Sequence, residues 1–252
     1  MAHLYADTDA KFRNDVLSNT KHLIERIKGA TAYLVREIDR MIIQDRQNDR
    51  LDAQQLLNAH ENFLTWFLEF LQGELVPTAS YQRHITSLRA ISLLLRSGLE
   101  ERSSGDQKLT TTPDATIWAH TLSIFNSESI RLILDLLMDP FEDVRSGATS
   151  ILKFASVNNF RSSKSQTSTD FDVLLEFIDR AEGFAKRTGR ADFADGVARS
   201  YQILYGFSDV KGRLSLVEGL VVGLEKKVVM AQSDLGEAVL VAPIHSDFST
   251  IR

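Results

Sequence analysis

The 252-residue sequence has no cysteine, which excludes disulfides and thiolate metal sites. Four prolines are few, and strand-favouring residues rarely alternate with polar ones, so both features tilt the chain toward helix. Long apolar runs are missing too. The nearest to the ~18 residues of a membrane span is Leu214 to Leu224, broken by Glu218. The opening MAHLYADTDAKFRND lacks the apolar core of a signal peptide, and no Asn-x-Ser/Thr sequon occurs. These absences lead to the expectation of a cytoplasmic protein with no membrane contact. An overall basic charge is also absent. The formal net charge is -5, so no whole-chain field attracts nucleic acid, and only a local patch could.

What is present is ordinary for a globular chain: 43% hydrophobic and 25% charged residues, with enough length to bury a large core. Apolar residues recur at helical spacing almost throughout. Leu56, His60, Phe63, Leu64, Phe67, Leu71 and Leu75 form one wide stripe. A turn at 76–79 follows, with Ser80 placed to cap a helix carrying Tyr81, Ile85, Leu88, Ser92, Leu95 and Leu99. Two amphipathic helices joined by about four residues must pack antiparallel. Thr112 and Pro113 open a helix expected over 114–125, and Ser127 caps another that ends at Asp139-Pro140. The next helix carries Val144, Ala148, Ile151, Leu152 and Ala155. A Ser/Lys/Asn-rich stretch over 157–169 is expected to be a flexible loop.

Beyond it, Phe171, Leu174, Leu175, Ile178 and Ala181 mark one helix, and Phe193, Val197, Tyr201 and Leu204 another, with Gly189 at the turn. A last helix spans 210–230. Residues 12–44 read as one long helix or two joined near Gly29. The spacing of the pairs is close to the ~40–47 residues of HEAT and armadillo arrays. Segment LLMDPFEDVR at 136–145 is the strongest single repeat signature: Asp139-Pro140 turns the chain, Val144 enters the core and Arg145 can bond the carboxylate of a neighbouring turn. The expected fold is an all-α, HEAT/armadillo-like α-solenoid of antiparallel helix pairs over 1–252, one portion of a longer solenoid.

Catalytic signatures are missing. There is no G-x-G-x-x-G and no P-loop, and six scattered histidines lack metal-ligand spacing. His60-Glu61 begins like a zincin helix, but Leu64 stands where the second histidine belongs, so His60 reads as a satisfied core histidine. The acidic run 45–52 lacks the glycine and terminal glutamate of a calcium loop. One basic cluster stands out. Arg83, His84, Arg89 and Arg96 have no acidic residue among them until Glu100, and Arg89 and Arg96 share a helix face that could contact phosphate. The alternative is a solvated face, or arginines bonding the adjacent repeat. A second basic candidate is the N-terminal helix with Lys11, Arg13, Lys21, Arg26 and Lys28, diluted by Asp15 and Glu25.

Several of these segments resemble the THADA family, most closely its fungal members: KFRND at 11–15 with ERIK at 25–28, PTASYQRHITSLRA at 77–90, DPFEDVR at 139–145 and AVLVAPIHSDF at 238–248. The resemblance covers most of the chain. It implies a HEAT/armadillo-like scaffold that is the non-catalytic partner of an FtsJ-type, S-adenosylmethionine-dependent methyltransferase. The pair would 2'-O-methylate the ribose of tRNA nucleotide 32. On that basis the chain is not an enzyme and binds no cofactor itself. Its partners are the methyltransferase and tRNA, with Lys11, Arg13, Arg83, His84, Arg89 and Arg96 as candidate contacts. The chain ends where the family's C-terminal conserved region would begin, so a fragment is expected. A generic helical-repeat adaptor without an RNA role is the competing expectation.

Overall fold

The computed structural model describes residues 2–44, 47–99, 118, 122–161 and 171–233. Among them every regular element is a helix or a 3-10 turn, with no strand. The chain divides into two compact units, Met1–Phe207 and Ser208–Arg252.

The first unit opens with α1 (Ala2–Tyr5), a single turn, and α2 (Ala10–Ile43), capped by the Asp9 carboxylate on the Lys11 amide at 2.8 Å. Helix α2 is continuous through Gly29. An interior glycine costs only about 1 kcal/mol, whereas Ile24, Ile27, Thr31, Leu34 and Ile38 all bury on one face of the unbroken helix. Helix α3 (Gln47–Gly73) returns along it. Leu34 and Ile38 from the end of α2 pack with Ala53 from the start of α3, which only an antiparallel pair allows. The buried stripe of α3 is Ala53, Leu64, Phe67, Leu68 and Leu71; Leu56, expected on it, is exposed.

Helix α4 (Tyr81–Arg96) lies at the centre, against α1, α2, α3 and, later, α6. Nine of its 16 residues are buried, so it is enclosed well beyond the single stripe that the sequence suggests. Ser80 stands at the N-cap as expected, but its hydroxyl makes no capping bond. Helix α5 (Ser127–Asp135) runs into a 3-10 turn, Leu136–Met138, and α6 (Glu142–Leu152) follows the Asp139-Pro140 corner. Tyr81, at the start of α4, meets Phe141 and Asp143 at the start of α6, and Leu88 lies against Gly147 midway along both. The two helices therefore run in the same direction. Second helices of successive pairs stacked in parallel are what a solenoid requires, and the first unit is an all-α array of this kind.

Four local expectations are corrected. Residues 122–125 are not helical: the Leu122 amide donates to the Leu99 carbonyl at 2.9 Å, beyond the end of α4, rather than within a helix. Most of the helix expected over 114–125 lies outside the described residues. The cap of α5 is Asn126 rather than Ser127, because the Asn126 side-chain oxygen reaches the amides of Glu128 and Ser129 at 3.1 and 2.8 Å. The loop expected over 157–169 opens as a second 3-10 turn, Val157–Phe160, held by a Ser156/Asn159 capping box with Phe160 fully buried; residues 162–170 lie outside the described residues. In α7 (Asp172–Thr188) the core positions are Val173, Leu174, Phe177, Ile178 and Ala181, while Leu175 faces solvent.

Gly189 ends α7 with φ at 63°, a left-handed cap that suits glycine, and α8 (Ala191–Phe207) turns back along it. A Tyr201 to Glu182 hydrogen bond of 2.6 Å ties the pair. Burial and the Glu182 carboxylate push the Tyr201 phenol up to about 12. The described part of the second unit is α9 (Val210–Ser233), which exposes Leu214, Val217, Leu220, Val221 and Val222. No helix among the described residues is long and apolar enough to cross a membrane.

Helix α8 touches the first 3-10 turn so closely that a Cβ at Gly196 would sit 2.3 Å from the Leu137 carbonyl oxygen and 2.8 Å from Met138 Sδ. Alanine normally stabilises a helix interior over glycine, but overpacking here outweighs that gain. Gly196→Ala is expected to lose roughly 1–3 kcal/mol in urea denaturation. Gly29→Ala, with nothing within 4 Å of the new methyl, is expected to gain about 0.5–1 kcal/mol. Equal effects at the two positions would refute the close-approach account.

Candidate functional site

The basic cluster of α4 divides into residues that face inward and residues that face out. Arg83 forms a two-pronged ion pair with Glu74, Nε to Oε2 at 2.5 Å and Nη2 to Oε1 at 2.9 Å. Glu74 is buried, so this pair closes the corner between α3 and α4. His84 is 3% exposed. Its Nδ1 lies 3.0 Å from Asp139 Oδ2 and its Nε2 lies 2.9 Å from the Val76 carbonyl oxygen. Both partners are acceptors, so both ring nitrogens must donate and the ring is an imidazolium. Burial works against that cation. The Asp139 carboxylate and the Val76 carbonyl outweigh burial and the nearby Arg83, and hold the His84 pKa above its ordinary value.

Asp139 also accepts the Phe141 amide at 2.8 Å, which shapes the corner before α6. Arg145, 7% exposed, fills the space inside that corner. Its Nη1 donates to the carbonyls of Asp139 and Pro140 at 2.8 and 3.1 Å, and its Nη2 donates to Glu142 at 2.7 Å. Its Nε reaches Asp195 of α8 at 2.7 Å. Arg199 joins the same Asp195 at 2.8 Å and also pairs with Glu142. Burial alone would raise the Asp195 pKa, but the two guanidinium groups lower it overall. The bond from Arg145 to a neighbouring carboxylate, expected from the sequence, is thus present and reaches α8.

The remaining candidates lie on the outer side of α2 and α4. Lys11 is exposed, and Arg13, half-buried, crosses the α1–α2 junction to the carbonyls of Asp7 and Thr8 at 2.6 and 3.0 Å. Arg89 is exposed and donates to Asn14 at 3.3 Å. Arg13 and Arg89 both lie near the Tyr81 phenol and favour its ionised form. Burial and the hydrogen bond to Asp143, 3.1 Å, act the other way and keep the Tyr81 pKa raised. The Tyr81 ring rests on Phe141 with centroids 4.7 Å apart, and Phe141 is 50% exposed.

Arg13, Arg89, Tyr81 and Phe141 therefore form one cationic and aromatic surface. Arg96 is exposed two turns further along α4. Lys28 is taken inward, its Nζ 2.7 Å from the Ser97 carbonyl oxygen and 5.9 Å from the Trp118 ring centre, and burial lowers its pKa. Sequence spacing could place Arg89 and Arg96 together, but it had no means of finding Tyr81 and Phe141, which come from different repeats.

No group of three or more histidine, aspartate or glutamate side chains among the described residues could hold a metal ion. A small cleft of about 100 Å³ between α5 and α7, lined in part by Arg131, Asp135, Glu176 and Arg180, brings no nucleophile to a base. His60 departs from expectation: it is half-buried, and its Nδ1 is buried without a hydrogen-bond partner. Zincin chemistry finds no support there, since the first ligand would have no companion.

Because the folded-state pKa of His84 is raised, its contribution to stability is fully present below about pH 6.5 and is lost as pH rises through the folded-state value. In urea denaturation the stability gap between the wild type and His84→Gln should be widest at mildly acidic pH and narrow toward alkaline pH. A gap independent of pH would show that the ring is held neutral.

Residues 1–146 match the family model described as Trm732, TPR repeats. A curated relative from Schizosaccharomyces pombe, described as a tRNA (32-2'-O)-methyltransferase regulator trm732, is 24% identical over 144 residues. That stretch covers 57% of this chain and 9% of the relative. No solved structure matches. The family description names the helix pairs as TPR rather than HEAT or armadillo repeats; all are antiparallel helix pairs that bury their faces by stacking. The model match spans more than half of the 252 residues and includes α1 to α5, the Asp139-Pro140 corner and Arg145: the chain belongs to the Trm732 TPR-repeat family.

Proposed function

We propose that this chain is part of a non-catalytic scaffold that assists an FtsJ-type methyltransferase in 2'-O-methylation of tRNA at nucleotide 32. On this proposal the methyltransferase supplies cofactor and catalytic groups, and the α2–α4 surface meets the RNA. The likeness to the fission-yeast tRNA (32-2'-O)-methyltransferase regulator supports the regulatory role. The resemblance to the THADA family supports the FtsJ-type partner and nucleotide 32 as the target.

The observation that carries the RNA contact is that Arg89, exposed on the same helix that bears Tyr81 and its ring contact with Phe141, reaches Asn14, next to Arg13 on α2. Guanidinium groups supply phosphate contacts, and an exposed ring offers a face for an unpaired base. Lys11 and Arg96 would extend the phosphate track on either side. His84 would position α4 without touching RNA, since both its ring nitrogens are used on Asp139 and Val76. Arg83 would serve mainly to position α4 through its two-pronged pair with Glu74.

A second reading, a protein-binding adaptor without an RNA role, is favoured by the row of exposed apolar residues on α9. Salt dependence separates the two. The variant Arg13→Ala/Arg89→Ala, checked for intact helicity, is expected to bind tRNA more weakly than the wild type in a filter-binding salt series, with a salt slope smaller by about two. Wild-type binding that is undetectable at low salt, together with co-purification of an FtsJ-type methyltransferase, would favour the adaptor. Unchanged binding by the double variant would remove the α2–α4 surface from the proposal.

A further inference from the structure

The turn between α7 and α8 carries a second aromatic and cationic surface, beyond the residues matched by the family model. Phe184, on the last turns of α7, is 44% exposed, and Phe193, at the start of α8, is half-buried. The two rings sit edge to face across the Gly189 turn, with centroids 6.4 Å apart and planes at 67°. Each ring carries a guanidinium. Arg187 Cζ lies 4.8 Å from the centre of Phe184, and Arg190 Cζ lies 4.4 Å from the centre of Phe193. Two arginine-on-phenylalanine stacks thus stand side by side at the end of the hairpin. We infer that this hairpin end is a stacking platform for unpaired ribonucleotides of an RNA partner, an inference that rests on the RNA role proposed above.

The chemistry of the tip selects this occupant. An exposed phenylalanine ring is left in water at a cost, and a guanidinium laid on it covers one face with a second flat, weakly hydrated plane while keeping N–H donors at the edge. A planar base covers such a surface and finds donors at its rim. Acidic peptides fit it less well. Most of the positive charge is already matched, because Lys186 pairs with Glu182 and Arg190 pairs with Asp192. Among the described residues Arg187 alone of the three forms no ion pair. A surface with one unmatched cation attracts little by charge and mainly by stacking. Duplex RNA, whose bases are not presented, would gain almost nothing from it.

This separates the tip from the α2–α4 surface in a measurable way. Binding of the whole 252-residue chain to a fluorescent single-stranded oligoribonucleotide, and to a duplex of the same composition, would be followed by anisotropy over a salt series. Three proteins enter: wild type, Phe184→Ala/Phe193→Ala, and Arg13→Ala/Arg89→Ala, each with its melting temperature recorded. The tip variant is expected to lose about tenfold in single-strand affinity, with duplex affinity and the salt slope unchanged. Phe184→Tyr, which keeps a ring, should retain the affinity.

Equal single-strand affinity in wild type and tip variant, while Arg13→Ala/Arg89→Ala is weakened, would overturn this inference alone. An equal loss on single strand and duplex would also overturn it, by showing a charge or folding effect. If the wild type binds neither RNA, the proposed function fails and the platform fails with it. If an acidic peptide displaces the oligonucleotide from wild type but not from the tip variant, the tip is a peptide site and the inference is overturned.

Discussion

Arg145 must find a partner for every N–H it takes out of water, and the architecture around it is set by how that demand is met. A buried guanidinium left without acceptors would cost several kcal/mol. Here its donors are shared among two corner carbonyls, Glu142 beside it and Asp195 on α8. Those acceptors belong to three places in the chain, so one side chain fixes the corner before α6 and the docking of α8 at once. The backbone answers with a matching requirement: α8 can come this close only because position 196 has no Cβ. The same corner reaches the other way through Asp139, whose second carboxylate oxygen holds the His84 ring on α4. Apolar burial by Leu88, Ile91, Leu94, Val144 and Ala148 supplies the driving force for the stack. Burial is non-directional, however, and could be satisfied in several registers. The ion and hydrogen-bond network selects among them, since a slip of one residue along α6 would strand Arg145.

This division explains what became of the basic cluster. Four cationic positions on α4 look alike in sequence, yet two are committed to partners within the fold. Arg83 is used on the buried Glu74, and His84 on the corner of the next repeat. The two that remain outside, Arg89 and Arg96, are those whose places on the helix turn away from α3 and α6. The proposed RNA surface is therefore the remainder after the fold has met its own electrostatic needs. It is completed by side chains from elsewhere, Arg13 from α2 and Phe141 from the corner.

Periodicity made most of the helices legible, including their order, and local signals marked the turn at Gly189 and the Asp139-Pro140 corner, because each depends on chemistry that a short window contains. The bond from Arg145 to a neighbouring carboxylate was legible from the corner motif itself. What could not be read was anything decided by how many neighbours a helix has. Helix α4 is enclosed by four elements, so Thr86 and Ser87 are buried although both are polar, while Leu56 and Leu175 are exposed although both are apolar. The sign of each basic residue's role had the same origin. Nothing local distinguishes Arg83 from Arg89; only the position of Glu74 after the α3 turn does. The aromatic members of both proposed surfaces escaped for a related reason, since Phe141 and Phe193 acquire meaning only beside residues from another helix.

The charge balance adds a constraint on how such a chain could engage RNA. With a formal net charge of -5 it exerts no net attraction on a polyanion, and beyond the Debye length of about 8 Å at physiological salt charge interactions are largely screened. Long-range steering is therefore not available to it, and any productive contact has to be short-range. The two proposed surfaces suit that regime differently. The α2–α4 face offers guanidinium groups spaced along helices, which fit a backbone path, and the α7–α8 tip offers flat surface with its charge largely matched. Backbone contacts respond to salt and ignore whether bases are paired, whereas stacking ignores salt and requires that they be unpaired. A scaffold that combined both would hold an RNA only where a backbone path leads into an unpaired loop. Discrimination of that kind comes from geometry alone, so it needs no base-specific hydrogen bond and no catalytic group on the scaffold itself.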